Sequence, residues 1–105
     1  MNQSPEIHGM LCLSTAHLTR FASDYLEKAC EAMSVADSKS GIPLNAYRKD
    51  VFGYFVAITD DVVDNPEIPE SILSCMRYAV SHDADWLMFD SDGPIVRELP
   101  DYGRQ

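Results

Sequence analysis

The sequence predicts a small single domain of α+β class, with elements in the order β-α-β-α-β-β and two helices lying mainly on one face of a small mixed sheet. Three observations carry this. Apolar residues recur at helical spacing from Leu18 to Met33, and a run of β-branched and aromatic residues follows from Tyr47 to Thr59. A chain of 105 residues that is 46% hydrophobic also has enough apolar material for one core. Neither a repeat nor a linker divides it, so residues 1–105 read as one domain, with flexible ends at 1–6 and 103–105.

The elements follow in order. Ile7 to Leu13 is short and almost wholly apolar, as a buried strand is. Ser14-Thr15-Ala16-His17 reads as a loop. The stripe Leu18, Phe21, Ala22, Tyr25, Leu26, Ala29, Cys30 and Met33 then gives a helix, for which Thr19 is the N-cap. Residues 34–46 are rich in Ser, Asp, Gly and Pro and read as a loop. Tyr47 to Thr59 is apolar on both faces, which predicts a central strand. Pro69-Glu70 suits a helix start, with Ile72, Cys75, Met76, Ala79 and Val80 as its stripe. Asp85 to Phe89 reads as a third strand, Asp90-Ser91-Asp92-Gly93 as a turn, and Ile95 to Leu99 as a fourth strand closing a hairpin. The first crossover is long enough for a parallel, right-handed βαβ unit. Two helices cover one sheet face well and two poorly, so part of one face is expected to be closed by loops or by another subunit of a homo-oligomer.

The net charge of −9 is unevenly distributed. Residues 1–52 hold six acids and five bases, whereas residues 53–105 hold eleven acids and three bases. Such a field repels nucleic acid and anionic lipid and favours a basic protein partner. No apolar run reaches the ~20 residues that span a membrane. The opening residues lack a basic leader. Three widely spaced cysteines, Cys12, Cys30 and Cys75, suit reduced, buried thiols. A cytoplasmic protein is the expectation. No histidine has a ligand-spaced neighbour, so neither a metal nor another cofactor is called for.

Two loops could hold chemistry. Asp90-Ser91-Asp92-Gly93 is similar to the DxDG signature of haloacid-dehalogenase-type phosphatases, whose first Asp is the nucleophile and second the general acid. Only twelve residues follow Gly93 and none is lysine, so a turn is the reading. Ser14, Thr15 and His17 stand at the carboxyl end of the first strand, where open α/β sheets bind ligands. If the first and third strands run parallel and adjacent, these residues meet Asp90 and Asp92, and a small hydrolase or transferase site becomes the alternative function.

Leu13 to Thr19 (LSTAHLT), Phe52 to Val56 (FGYFV) and Asp85 to Tyr102 (DWLMFDSDGPIVRELPDY) together resemble an uncharacterised family of small proteins. Its members are carried by bacterial prophages, plasmids and integrative elements. The resemblance implies an accessory, mobile-element context and transfers no catalytic residue. The function expected from charge and context is an inhibitory protein-binding module, of anti-defence or DNA-mimic type, using Asp60, Asp61, Asp64, Asp85, Trp86, Asp90 and Asp92. A toxin–antitoxin or immunity component is a further alternative.

Overall fold

A computed structural model describes residues 8–34, 42–50 and 53–103. Strand β1 (Met10–Ser14) leads through a 3-10 turn (Thr15–His17) to helix α1 (Arg20–Ser34). Strands β2 (Ala46–Lys49) and β3 (Gly53–Ala57), helix α2 (Glu70–Ser81) and strand β4 (Trp86–Asp90) follow. The class is as expected: two helices and a four-stranded mixed sheet, in the order β1-β4-β3-β2. Strand β1 pairs parallel with β4, while β4–β3 and β3–β2 are antiparallel.

The order of elements differs from expectation at two places, giving β-α-β-β-α-β rather than β-α-β-α-β-β. The run 47–59 is two strands, not one. It turns back at Asp50, which sits in the left-handed region (φ 52°) that a short polar side chain tolerates. Ile95 to Leu99 is not a strand. Both edges of β4 are already taken, by β1 and β3, so a hairpin return has nothing to pair with. The segment instead crosses to the outside of β1, where the Ser14 N–H donates to the Pro94 carbonyl at 2.8 Å. Gly93 permits this passage, because a Cβ there would lie 2.6 Å from the Leu13 carbonyl oxygen. The first crossover does join parallel strands, but β1 and β2 stand at opposite edges of the sheet. The expected flexible end 1–6, residues 104–105 of the other end, most of the loop at 34–46, and Phe52 lie outside the described residues.

Helix α1 begins where expected: Thr19 Oγ1 accepts from the Ala22 amide at 3.1 Å, satisfying one free donor of the first turn. Its residues Ala22, Leu26, Ala29 and Cys30 are buried, whereas Phe21, expected in the stripe, is 71% exposed. Helix α2 buries Ile72, Leu73, Cys75, Met76 and Ala79 but leaves Val80 exposed. Both helices pack on the sheet face made by Leu13, Tyr54, Val56, Leu87 and Phe89. Each large apolar side chain so buried contributes about 1.5–3 kcal/mol. Val96 and Leu99 of the C-terminal segment pack at the margin of this core.

Candidate binding surface

Side chains alternate across a strand, so the residues between the buried ones face away from the helices. The pairing registers arrange them in three rows. Lys49, Gly53 and Asp90 form one; Tyr47, Phe55, Met88 and Cys12 the next; Ala57, Trp86 and Met10 the third. Two of the three rows are apolar or aromatic, and among the described residues no helix covers them. Met10 and Tyr47 are exposed, and Cys12, Phe55, Trp86 and Met88 are half-buried. Tyr47 and Trp86 lean together in a tilted pair, with ring centroids 6.2 Å apart.

The polar row is closed on itself. Lys49 Nζ donates to Asp90 Oδ2 at 2.7 Å, and Asp90 Oδ1 accepts the Asp92 amide at 2.8 Å. The Lys49 hydrogen bond, then the Asp92 amide, hold the Asp90 carboxyl below the usual range, and Asp90 in turn raises Lys49. Both groups therefore stay charged near neutrality, and Lys49 has no free lone pair with which to act as a base.

At the other end of β4 a cleft of about 460 Å3 opens between the 58–64 loop and the end of α2. Asp60, Asp64, Asp83 and Asp85 line it, together with Ile58, Val63 and Val80. Asp64 is shared with Arg77 at 3.5 Å, and Asp85 lies 3.5 Å from His8, a partner that is charged only when protonated. Asp61 accepts a hydrogen bond from the Thr59 hydroxyl beside the cleft. The acidic residues expected to act together are thus split. Asp60, Asp61, Asp64 and Asp85 gather at this end, while Asp90 and Asp92 stand the length of a strand away, roughly 16 Å.

The sheet does bring Ser14 beside Asp90, since β1 and β4 are parallel neighbours with those residues in register. Their polar atoms are engaged elsewhere. Ser14 Oγ accepts from the Ala16 amide at 3.0 Å and so caps the 3-10 turn. His17 is 1% exposed. Its Nδ1 lies 2.7 Å from the Pro100 carbonyl, and its Nε2 accepts the Val96 amide at 3.0 Å. A carbonyl can only accept and an amide can only donate, so the ring is neutral with its proton on Nδ1. With the Tyr102 amide on the Ala16 carbonyl at 2.7 Å, these bonds tie the C-terminal segment over the turn. Thr15 is half-buried in the same turn.

Lys49, Phe55, Met88 and Asp83 were not singled out from the sequence. Alternation along 53–57 and 86–90 carried the signal for the face, but which of the two apolar faces the helices leave bare is a tertiary fact. Among the described residues, no three His, Cys, Asp or Glu side chains come together as a metal site requires, and no helix is long and apolar enough to cross a membrane.

No curated protein and no solved structure gives a significant match to the chain. One family does match, described as the C-terminal domain of a family of unknown function, DUF5983, over residues 10–104. That span includes all four strands, both helices and the C-terminal segment that His17 holds, and the chain belongs to this family.

Proposed function

We propose that this domain is a non-enzymatic protein-binding module that meets a partner through the bare face of its sheet and the acidic cleft at that sheet's end. The observation that carries the reading is the open face itself, where Tyr47, Phe55, Trp86 and Met88 lie side by side and, among the described residues, no helix lies over them. Partly exposed aromatic and apolar side chains set side by side in this way suit an interaction site, and Trp, Tyr and Met are residues that interfaces favour. The aspartates of the cleft add a preference for a basic partner and a faster encounter with it. The resemblance to small proteins of prophages and plasmids adds a biological setting, an accessory protein that inhibits a host or rival protein by occupying it. An immunity or antitoxin role is one form of the same binding reading. The hydrolase reading needed His17 as a base, and both of its nitrogens are held by backbone groups.

A photoreactive amino acid placed at Met88 in living cells tests the proposal. A discrete adduct with one protein is expected from Met88 and none from Phe21, which is more exposed but lies on the outer side of α1. Equal, diffuse labelling from both positions, or none from Met88, removes the reading.

A further inference from the structure

His17 is a buried titratable side chain that neither the open face nor the acidic cleft uses. It joins the turn after β1 to backbone groups 79 and 83 residues further along the chain. Two backbone pairs frame this closure: the Ser14 N–H donates to the Pro94 carbonyl, and the Tyr102 N–H to the Ala16 carbonyl. Between them the imidazole makes both of the remaining bonds. Nε2 accepts the Val96 amide at 3.0 Å, and Nδ1 donates to the Pro100 carbonyl at 2.7 Å. Val96 and Leu99 rest on the margin of the core beneath this closure.

The two ring nitrogens respond differently to acid. Nδ1 already carries a proton, so a second one enters at Nε2, on the lone pair that accepts the Val96 amide. An N–H does not accept an N–H, so the second proton and the Val96 bond exclude one another. The Pro100 bond meets no such conflict, because an imidazolium still donates from Nδ1 and does so more strongly for its charge. Among the described residues, no carboxylate stands within ion-pairing distance of the ring. The elements around it carry Arg20 at the start of α1, Glu70 at the start of α2, and Asp90 and Asp92 at the end of β4. The C-terminal segment itself carries Arg97, Glu98, Asp101 and Tyr102. Lys49 holds Asp90, Arg77 holds Glu70, and the others are exposed. A charge on the closed ring is therefore left uncompensated. We infer that His17 is a proton-operated latch: a proton taken from solvent at Nε2 releases the Val96 end of the C-terminal segment, while Pro100 keeps the other end in place. Release carries Val96 off the core margin and bares the outer edge of β1 beside Ser14. The device lies apart from the open face, which keeps its exposure in both states.

Amide hydrogen exchange on the full chain, corrected for the intrinsic rate of each amide at each pH, reads the open population. An imidazole freed from Val96 takes its second proton at the ordinary pKa of ~6.5. Opening at Val96 should therefore rise roughly 30-fold between about pH 7.5 and about pH 5. Over the same range the corrected rates at Tyr102, Phe55 and Met88 should change by less than about threefold. His17→Gln, whose side-chain amide takes no proton in this range, should show no rise at Val96. Native exchange at Val96 that stays flat with pH overturns the inference. A rise that survives in His17→Gln belongs to His8 or His82 and also overturns it. An equal rise at Tyr102 would mean that the whole segment comes away, which removes the latch as described. The ring's own resonances decide without any variant: a protonated His17 with Val96 still protected overturns the inference, whereas loss of protection in step with ring protonation supports it.

Discussion

Lys49 and Asp90 meet at 2.7 Å although a whole strand separates them, because the residue between them in register is Gly53. The same missing side chain lets β4 lie where it does: a Cβ on Gly53 would stand 1.6 Å from the Phe89 carbonyl oxygen. One glycine therefore permits both a strand contact in the middle of the sheet and the ion pair that closes one end of its open face.

Gly53→Ala should destabilise the domain by about 3 kcal/mol or more, since relief requires moving backbone rather than a flexible side-chain tip. Urea unfolding followed by circular dichroism measures this. A loss under 1 kcal/mol would mean that β3 and β4 do not approach as described.

The Lys49–Asp90 pair gives a pH dependence of known sign. Asp90 titrates lower in the folded chain than its ordinary 3.8, so its contribution is present above that value and disappears as pH falls through the folded value. Lys49 titrates above its ordinary 10.5, so its contribution is present below that value and disappears as pH rises through the folded one. The Tm difference between the native chain and Asp90→Asn should be constant from about pH 5 to pH 9 and shrink beyond both ends. A difference that grows toward acid would contradict the pairing.

His17→Ala should cost about 2–4 kcal/mol, because it leaves the Val96 amide and the Pro100 carbonyl without partners and opens a void beneath the C-terminal segment. Hydrogen exchange at the Val96 amide should accelerate well before the amides of β3 and β4 are affected. His17→Asn tests the bonds against bulk, as its shorter side chain cannot reach both partners. Exchange at Val96 unchanged in both variants would show that the ring does not hold the segment.

Tyr54 is buried by its ring while its hydroxyl, at the core's margin, donates to Glu27 Oε1 at 2.7 Å, and burial and then this bond push its ionisation upward. Tyr54→Phe should cost about 1 kcal/mol, the net value of one such bond, read from the same urea curves. An unchanged midpoint would mean that the bond contributes nothing beyond its solvation by water.

Burial pushes the Cys75 thiol up to about 12 and raises Cys30 as well. The Cys75 thiolate is not populated at pH 8, so an aromatic disulfide reagent should label Cys75 only at the rate of unfolding. Cys12, half-buried on the open face, should react first, though slowly, since burial and then the Asp90 charge raise its thiol too. Reaction of Cys75 ahead of Cys12 in the native protein would place the core on the wrong side of the sheet.

Local pattern carried much of this fold. The Leu18–Met33 stripe marked α1 and its Thr19 cap, and the run 47–59 showed apolar residues on both faces, because side-chain periodicity is a property of each segment alone. It did not show that 47–59 turns back at Asp50, since one strand and two share the same composition.

The acidic half was evident from the sequence, but the grouping of its residues was not. Composition placed Asp60, Asp64, Asp85 and Asp90 in one half of the chain, and β4 then sets Asp90 apart from the rest, beside a lysine from the other half. Strand order decided the remainder. With β4 between β1 and β3, residues 95–99 had no edge to pair with, became a strap on the outside of β1, and drew both nitrogens of His17 away from Asp90 and Asp92. Side-chain periodicity along each segment settled which residues can face a core. Competition among strands for a limited number of edges, which no single segment encodes, decided which face stayed bare and which polar groups were free.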